Sequence, residues 1–172
     1  MNDTSTPFQE WVETNSSRIF ALAYRITGQV QDAEEVVQET FLKAYQQRET
    51  FKANAAPGTW LYRIASNCAL DLLRKRKRQG GHPVSLDDLE PLTALTPDAN
   101  RSVEGNQFRH QLNDALKALT PMERAAFILR HYEAHSCREV GEALGCNTNR
   151  AKQAIFRAVQ KLRKALKPMV TL

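Results

Sequence analysis

The stretch PGTWLYRIASNCALDLLRKRKR, residues 57–78, constrains this chain more than any other. Leu61, Ile64, Ala65, Cys68 and Leu72 recur at helical spacing, so one stripe of the segment must face a core. Arg63, Asn67, Asp71 and Arg74 fall together on another side, as residues about four apart on a helix must. Pro57 and Gly58 close the preceding loop, and Thr59 is read as the N-cap. The segment ends in Arg74, Lys75, Arg76, Lys77 and Arg78. A helix macrodipole favours cations at that end, but an unbroken run exceeds what the dipole asks for and fits a surface that meets phosphates.

The distribution of charge extends this reading. Residues 1–78 carry 11 basic and 9 acidic side chains, residues 79–105 carry 1 and 5, and residues 106–172 carry 12 and 5. Two cationic parts flank an acidic connector, which points to a polyanionic partner, most simply a nucleic acid. The start, MNDTSTPFQEW, lacks the cationic stretch and apolar run of a signal peptide. No apolar run nears the roughly 20 residues of a membrane span, so a cytoplasmic protein without membrane insertion is expected. Cys68, Cys137 and Cys146 are scattered and imply no disulfide framework.

Upstream, an amphipathic helix is expected over residues 8–27, ending near Gly28. Asp32 then opens DAEEVVQETFLKAYQQ, with Asp32 as N-cap and Glu35 three residues on in a capping-box pattern. Ala33, Val36, Val37, Thr40, Phe41 and Ala44 form its inward stripe. Glu34, Glu35, Gln38, Glu39 and Lys43 line the other side, which is acidic for a DNA-binding protein and suits either solvent or a basic protein surface. Residues 48–57 read as a loop into the organising helix. Trp60 and Tyr62 are candidate stacking faces for unpaired bases, although Trp60 reads more readily as core. Residues 79–105, broken by Gly80, Gly81, Pro83, Pro91 and Pro97, read as a linker.

The second half reads as a helical array. Thr120, Pro121 and Glu123 supply N-cap, N1 and N3 of one helix, and Ser136 with Glu139 is a further capping box. A short helix ends at Gly145, a turn follows over residues 146–148, and a longer basic helix starts near Thr148. That is a helix-turn-helix. Gly141 fits it, because a mid-helix glycine is tolerated where two helix backbones approach closely. The first turn of a recognition helix reaches base edges, which puts Asn149, Arg150, Lys152 and Gln153 at the reading end. Arg157 and Lys161 lie farther along, where phosphate contact or simple solvation is expected.

Taken together, DAEEVVQETFLKAY, the loop beginning ETF, and TWLYRIASNCALDLLRKRKR resemble domain 2 of the extracytoplasmic-function sigma factors, small members of the bacterial sigma-70 family. SCREVGEALGCNTNRAKQAIFRAVQKLRKAL resembles domain 4 of the same family. The resemblance implies an all-α chain of two small helical domains: residues 1–78 as domain 2, residues 79–105 as an acidic flexible linker, and residues 106–172 as domain 4. It implies an alternative sigma factor that binds core RNA polymerase and directs promoter-specific initiation, and not an enzyme. Asp32, Glu35, Val36, Gln38, Glu39 and Phe41 would meet the β′ clamp helices, some of them as packing residues. Phe51, Lys52, Asn54, Trp60, Arg63, Asn67, Asp71, Arg74, Lys75 and Arg76 would bind the −10 element, the loop from Phe51 to Gly58 holding a flipped base. Asn149, Arg150, Lys152, Gln153, Arg157 and Lys161 would bind the −35 element, and domain 4 would also meet the β flap. Asp87, Asp88 and Glu90 of the linker would mimic nucleic acid in the polymerase cleft, and an anti-sigma factor would hold the protein inactive.

The loop residues Lys52-Ala-Asn-Ala-Ala56 and the reading turn Asn149-Arg150-Ala151-Lys152-Gln153-Ala154 depart from the usual family pattern, so the promoter bases cannot be copied from relatives. The rival readings are weaker. His131, His135, Cys137 and Cys146 do not converge on one ion if the two cysteines bound a short helix, so no metal or other cofactor is expected. No phosphate loop, nucleophile motif or paired carboxylates announce an enzyme. A stand-alone helix-turn-helix regulator would explain the second half alone.

Overall fold

The computed structural model describes residues 5–52, 56–80 and 103–167. Among them are seven α-helices and one 3-10 turn, with no strand. Helices α1 (Ser5–Thr27), α2 (Val30–Gln46) and α3 (Pro57–Arg78) form an N-terminal unit, with the 3-10 turn at Arg48–Thr50 between α2 and α3. Helices α4 (Val103–Lys117), α5 (Pro121–His131), α6 (Cys137–Ala143) and α7 (Thr148–Leu166) form the C-terminal unit. Thus α4 opens inside the stretch read as linker; residues 81–102, with Asp87, Asp88 and Glu90, lie outside the described residues.

Helix starts follow local chemistry, with two corrections to the sequence reading. Helix α2 starts at Val30 after an extended Gln29, so Asp32 is not its N-cap and no Asp32–Glu35 capping box forms. Asp32 is buried in the first turn instead, where the Arg76 guanidinium lies 2.9 Å from its carboxylate and the helix start also favours an anion. Helix α3 starts at Pro57 after Ala56, not at Thr59. Proline at N1 brings the right φ and lacks only an N–H that would go unpaired anyway. The capping boxes of Thr120 with Glu123 and of Ser136 with Glu139 are both formed. Asn147 caps α7 by accepting from the Arg150 backbone N–H at 2.8 Å.

One apolar cluster runs through both units. Ile19, Leu22, Ile26, Val36, Leu61 and Leu70 of the N-terminal unit join Ile128, Leu129 and Val140 of the C-terminal unit in it. A second, smaller cluster packs Leu116 and Leu119 on Ala158 and Leu162, which seats the end of α4 on α7. Polar side chains cross the junction as well. The carboxylate of Glu133, between α5 and α6, accepts from Arg25 at 2.7 Å and from the Tyr62 hydroxyl. The His135 ring stacks on Tyr62 with centroids 5.8 Å apart. In the other direction, Arg124 of α5 donates to the Arg25 carbonyl at 3.4 Å, one of the unpaired carbonyls at the end of α1. Tyr62 is therefore buried against the other unit and is not the open stacking face suggested by its sequence position.

Candidate nucleic-acid interface

Helix α3 presents Arg63, Asp71, Arg74 and Lys75 to solvent, with Asn67 half-buried beside them. Asn67 donates through Nδ2 to the Arg63 carbonyl at 3.0 Å, which fixes the side chain along the helix surface. Between α2 and α3 lies a cleft of ≈330 Å³ lined by Lys43, Gln47, Trp60, Arg63, Ile64, Asn67 and Cys68. It joins an aromatic wall to cationic and amide groups. Lys43 and Gln47 were missed at the level of sequence. Lys43 belongs to the side of α2 read as solvent or protein contact and Gln47 follows the end of that helix, and only the packing of α2 on α3 brings them to this cleft.

Several residues proposed for the −10 element have internal partners. The Phe51 ring packs 5.0 Å from Trp11 and 5.1 Å from Trp60, so both aromatics anchor the start of the loop, while Lys52 is exposed. Asn54 lies outside the described residues. Arg76 bridges Asp32 at 2.9 Å and Glu35 at 3.3 Å, which ties α3 to α2. Asp71 stands 3.6 Å from Arg74 on the exposed surface. Beyond it, Arg74, Lys77 and Arg78 line a second cleft, of ≈760 Å³, closed on its far side by Thr120, Pro121 and Met122.

In the C-terminal unit, α6 and α7 are joined by a tight turn. A side chain at Gly141 would place its Cβ 2.8 Å from the Cys146 carbonyl oxygen, so the close approach is to the backbone of that turn and not, as expected, to a second helix. Asn149, Arg150, Lys152, Gln153 and Arg157 are all exposed. A cleft of ≈440 Å³ runs from Thr120, Met122 and Glu123 to Asn147, Asn149, Arg150, Gln153 and Arg157. Lys161 stands apart from this group: its ammonium lies 2.7 Å from the Glu123 carboxylate and joins α7 to α5. Burial pushes the Glu123 carboxyl up, but bonds from Lys161 and the Thr120 backbone outweigh it, and its pKa stays below the ordinary value.

On α2, Glu35, Gln38 and Glu39 are exposed, whereas Asp32 and Val36 are buried and Phe41 is half-buried against the core. Leu42 and Tyr45, not singled out from the sequence, continue the exposed strip and are 53% and 48% accessible. Cys68 is buried behind α2, with Lys43 Nζ 3.7 Å from its sulfur. Burial raises the thiol pKa, and Lys43 only partly offsets this. No group of His, Cys, Asp or Glu among the described residues could hold a metal ion, and no helix there is long and apolar enough to cross a membrane.

The two units match two parts of one known family. Residues 11–79 match sigma-70 region 2, and residues 115–164 match sigma-70 region 4. The chain is 30% identical to the ECF RNA polymerase sigma factor SigW of Bacillus subtilis over 94% of its own length and 90% of that protein. It is 31% identical to the ECF sigma factor SigE of Mycolicibacterium smegmatis over 91% of its own length, spanning 60% of the relative. Its fold is similar to that of the sigma factor RpoE solved with the anti-sigma factor NepR from Bartonella quintana, with a TM-score of 0.70 at 22% identity over 96% of this chain and 99% of that one. The chain belongs to the extracytoplasmic-function sigma factors of the sigma-70 family. That is the class of alternative sigma factors, which direct RNA polymerase to begin transcription at selected promoters.

Proposed function

We propose that this chain binds core RNA polymerase in the cytoplasm and carries it to promoters read at two places, contributing recognition and leaving the phosphoryl-transfer chemistry to polymerase. Residues 1–78 and 106–172 act as the two reading domains, joined by residues 79–105. The observation that carries this reading is the pair of polar helix faces on one chain, exposed Arg63 with half-buried Asn67 on α3 and exposed Asn149, Arg150, Lys152 and Gln153 on α7. The first turn of α7 enters the major groove of the −35 element, where Arg and Lys suit guanine and Asn and Gln suit adenine. Arg157 then lies one or two turns along, in reach of phosphate. At the −10 element, the cleft between α2 and α3 takes a base out of the stack, with Trp60 as its wall and Lys43, Arg63 and Asn67 as its polar groups. The exposed strip of Gln38, Leu42 and Tyr45, edged by Glu35 and Glu39, is the surface offered to the polymerase clamp. The solved relative was captured with an anti-sigma factor, and a protein of that kind is the natural inhibitor here.

Run-off transcription with core polymerase on genomic fragments tests this reading. Start sites that appear only when the protein is added support it, and their shared upstream sequences define the two elements. Lys152→Ala should weaken −35 binding by about 1–3 kcal/mol while core binding stays intact. A folded protein that neither binds core enzyme nor directs any start overturns the reading in favour of a stand-alone regulator.

A further inference from the structure

We infer that Trp11 of α1 is a positioning residue for base capture at the −10 element, setting the Trp60 wall of the cleft between α2 and α3 and holding the Phe51 ring beside it. The inference rests on the reading of that cleft as the place where an unpaired base is taken up. Helix α1 carries none of the residues assigned to DNA, and Trp11 does not line the cleft itself, whose aromatic wall is Trp60. Its influence on a captured base therefore passes through its neighbours. Three rings close on one another there. The Trp11 ring stands edge-on to Phe51, with centroids 5.0 Å apart and planes at 71°, and edge-on to Trp60 at 6.2 Å and 78°. Phe51 and Trp60 are 5.1 Å apart and tilted by 44°. Crossed pairs of this kind fix orientation as well as distance, because the positive edge of one ring meets the negative face of the next.

Trp11 is itself held on two sides. Phe8 packs 6.1 Å from it and 5.2 Å from the Tyr45 ring, which ties the group to α2. One turn further along α1, Asn15 donates through Nδ2 to the Trp11 carbonyl at 2.9 Å, and a Cβ at Gly58 would stand 3.0 Å from Asn15 Oδ1. Helix α1 thus meets the chain at Phe51 and again at Gly58, the second residue of α3, through two residues four apart on one face. Trp11, Phe51 and Trp60 are all half-buried, so no ring is fixed by full enclosure and each takes its orientation from the other two. A base that leaves its stack is repaid by what the receiving surface offers, and a wall already in its bound orientation spares the cost of ordering it on binding. Arg63 and Asn67, the polar groups of the cleft, follow Trp60 on the same helix, so a turn of the indole changes the space left between wall and polar edge.

The test uses holoenzyme assembled from core polymerase and the full chain, with a promoter fragment whose −10 strand is unpaired and carries an abasic site at each −10 position in turn. Wild type should lose most affinity where the captured base is missing. Trp11→Leu keeps an apolar side chain but removes the ring, and should bind the intact fragment about tenfold more weakly than wild type does. On the fragment lacking the captured base it should stay within about twofold of wild type, because the wall then has nothing to hold and the two losses are not additive. Trp11→Phe retains an aromatic edge and should show the same pattern at about threefold, and it takes the place of Trp11→Leu if that variant loses helix content. Equal loss on both fragments makes Trp11 an ordinary core residue and overturns the inference, as does no loss on either. A wild type indifferent to an abasic site at every position overturns the reading of the cleft as a base-capture site, and the inference with it.

Discussion

Glu123 serves two helices at once. Its carboxylate accepts from the Thr120 backbone at 3.0 Å, completing the α5 cap, and from Lys161 of α7 at 2.7 Å. Because its folded pKa lies below the ordinary carboxyl value, the stability it contributes is complete above that value and is lost as pH falls through the lower folded one. Urea unfolding followed down through the acid range should therefore show a stability loss that Glu123→Gln removes. Lys161→Met should cost only about 1 kcal/mol, because the Lys161 side chain is nearly half exposed. The sequence marked Lys161 as a phosphate contact or a solvated cation and Glu123 as a cap. Each assignment used its own helix alone, and neither local pattern contains the other helix.

At the scale of elements, the C-terminal unit was the more legible half. Thr120, Ser136, Glu123 and Glu139 act within four residues of themselves, so the starts of α5 and α6 could be read without knowing the packing. Gly141 was equally readable, since it stands out in a short helix of otherwise good formers. Gly141→Ala must push its Cβ against the Cys146 carbonyl, and an overpacked contact of this kind costs about 1–3 kcal/mol. Thermal unfolding should show that loss, together with weaker −35 binding. The start of α2 was misread because Asp32 has a second role that sequence cannot display, its bond to Arg76 on a helix more than a linker's length away. Leu42 and Tyr45 of the same helix fall outside its inward stripe, so their exposure was legible from the period, but the reading singled out only the polar residues of that side. Leu42→Asp should lower affinity for core polymerase about tenfold or more, measured by competition, while leaving promoter-fragment binding unchanged.

For the whole molecule, helix content and the two-part division follow from patterns repeated within each half. The junction does not, because its polar contacts join residues such as Arg25 and Glu133, 108 positions apart, with ordinary surface-type side chains. Charge at this scale has a direct consequence. If promoter binding draws on cationic residues in both units, as proposed, affinity should fall steeply and linearly on a logarithmic salt scale, and Arg157→Ala should reduce that slope by about one. A titration of fragment binding against salt measures both.

Cys146 sits at the seam between the units, half-buried in the turn that leans on α3. Burial raises its pKa, while Arg150 of its own unit and Arg74 of the other pull it down. A change in how the two units pack would alter the pull of Arg74 on this sulfur and leave that of Arg150 in place. The chain thus carries its own reporter: the rate at which iodoacetamide alkylates Cys146, followed separately from that of Cys137, responds to the packing of the two units around it. Cys68, enclosed within the N-terminal unit, supplies the unresponsive reference on the same molecule.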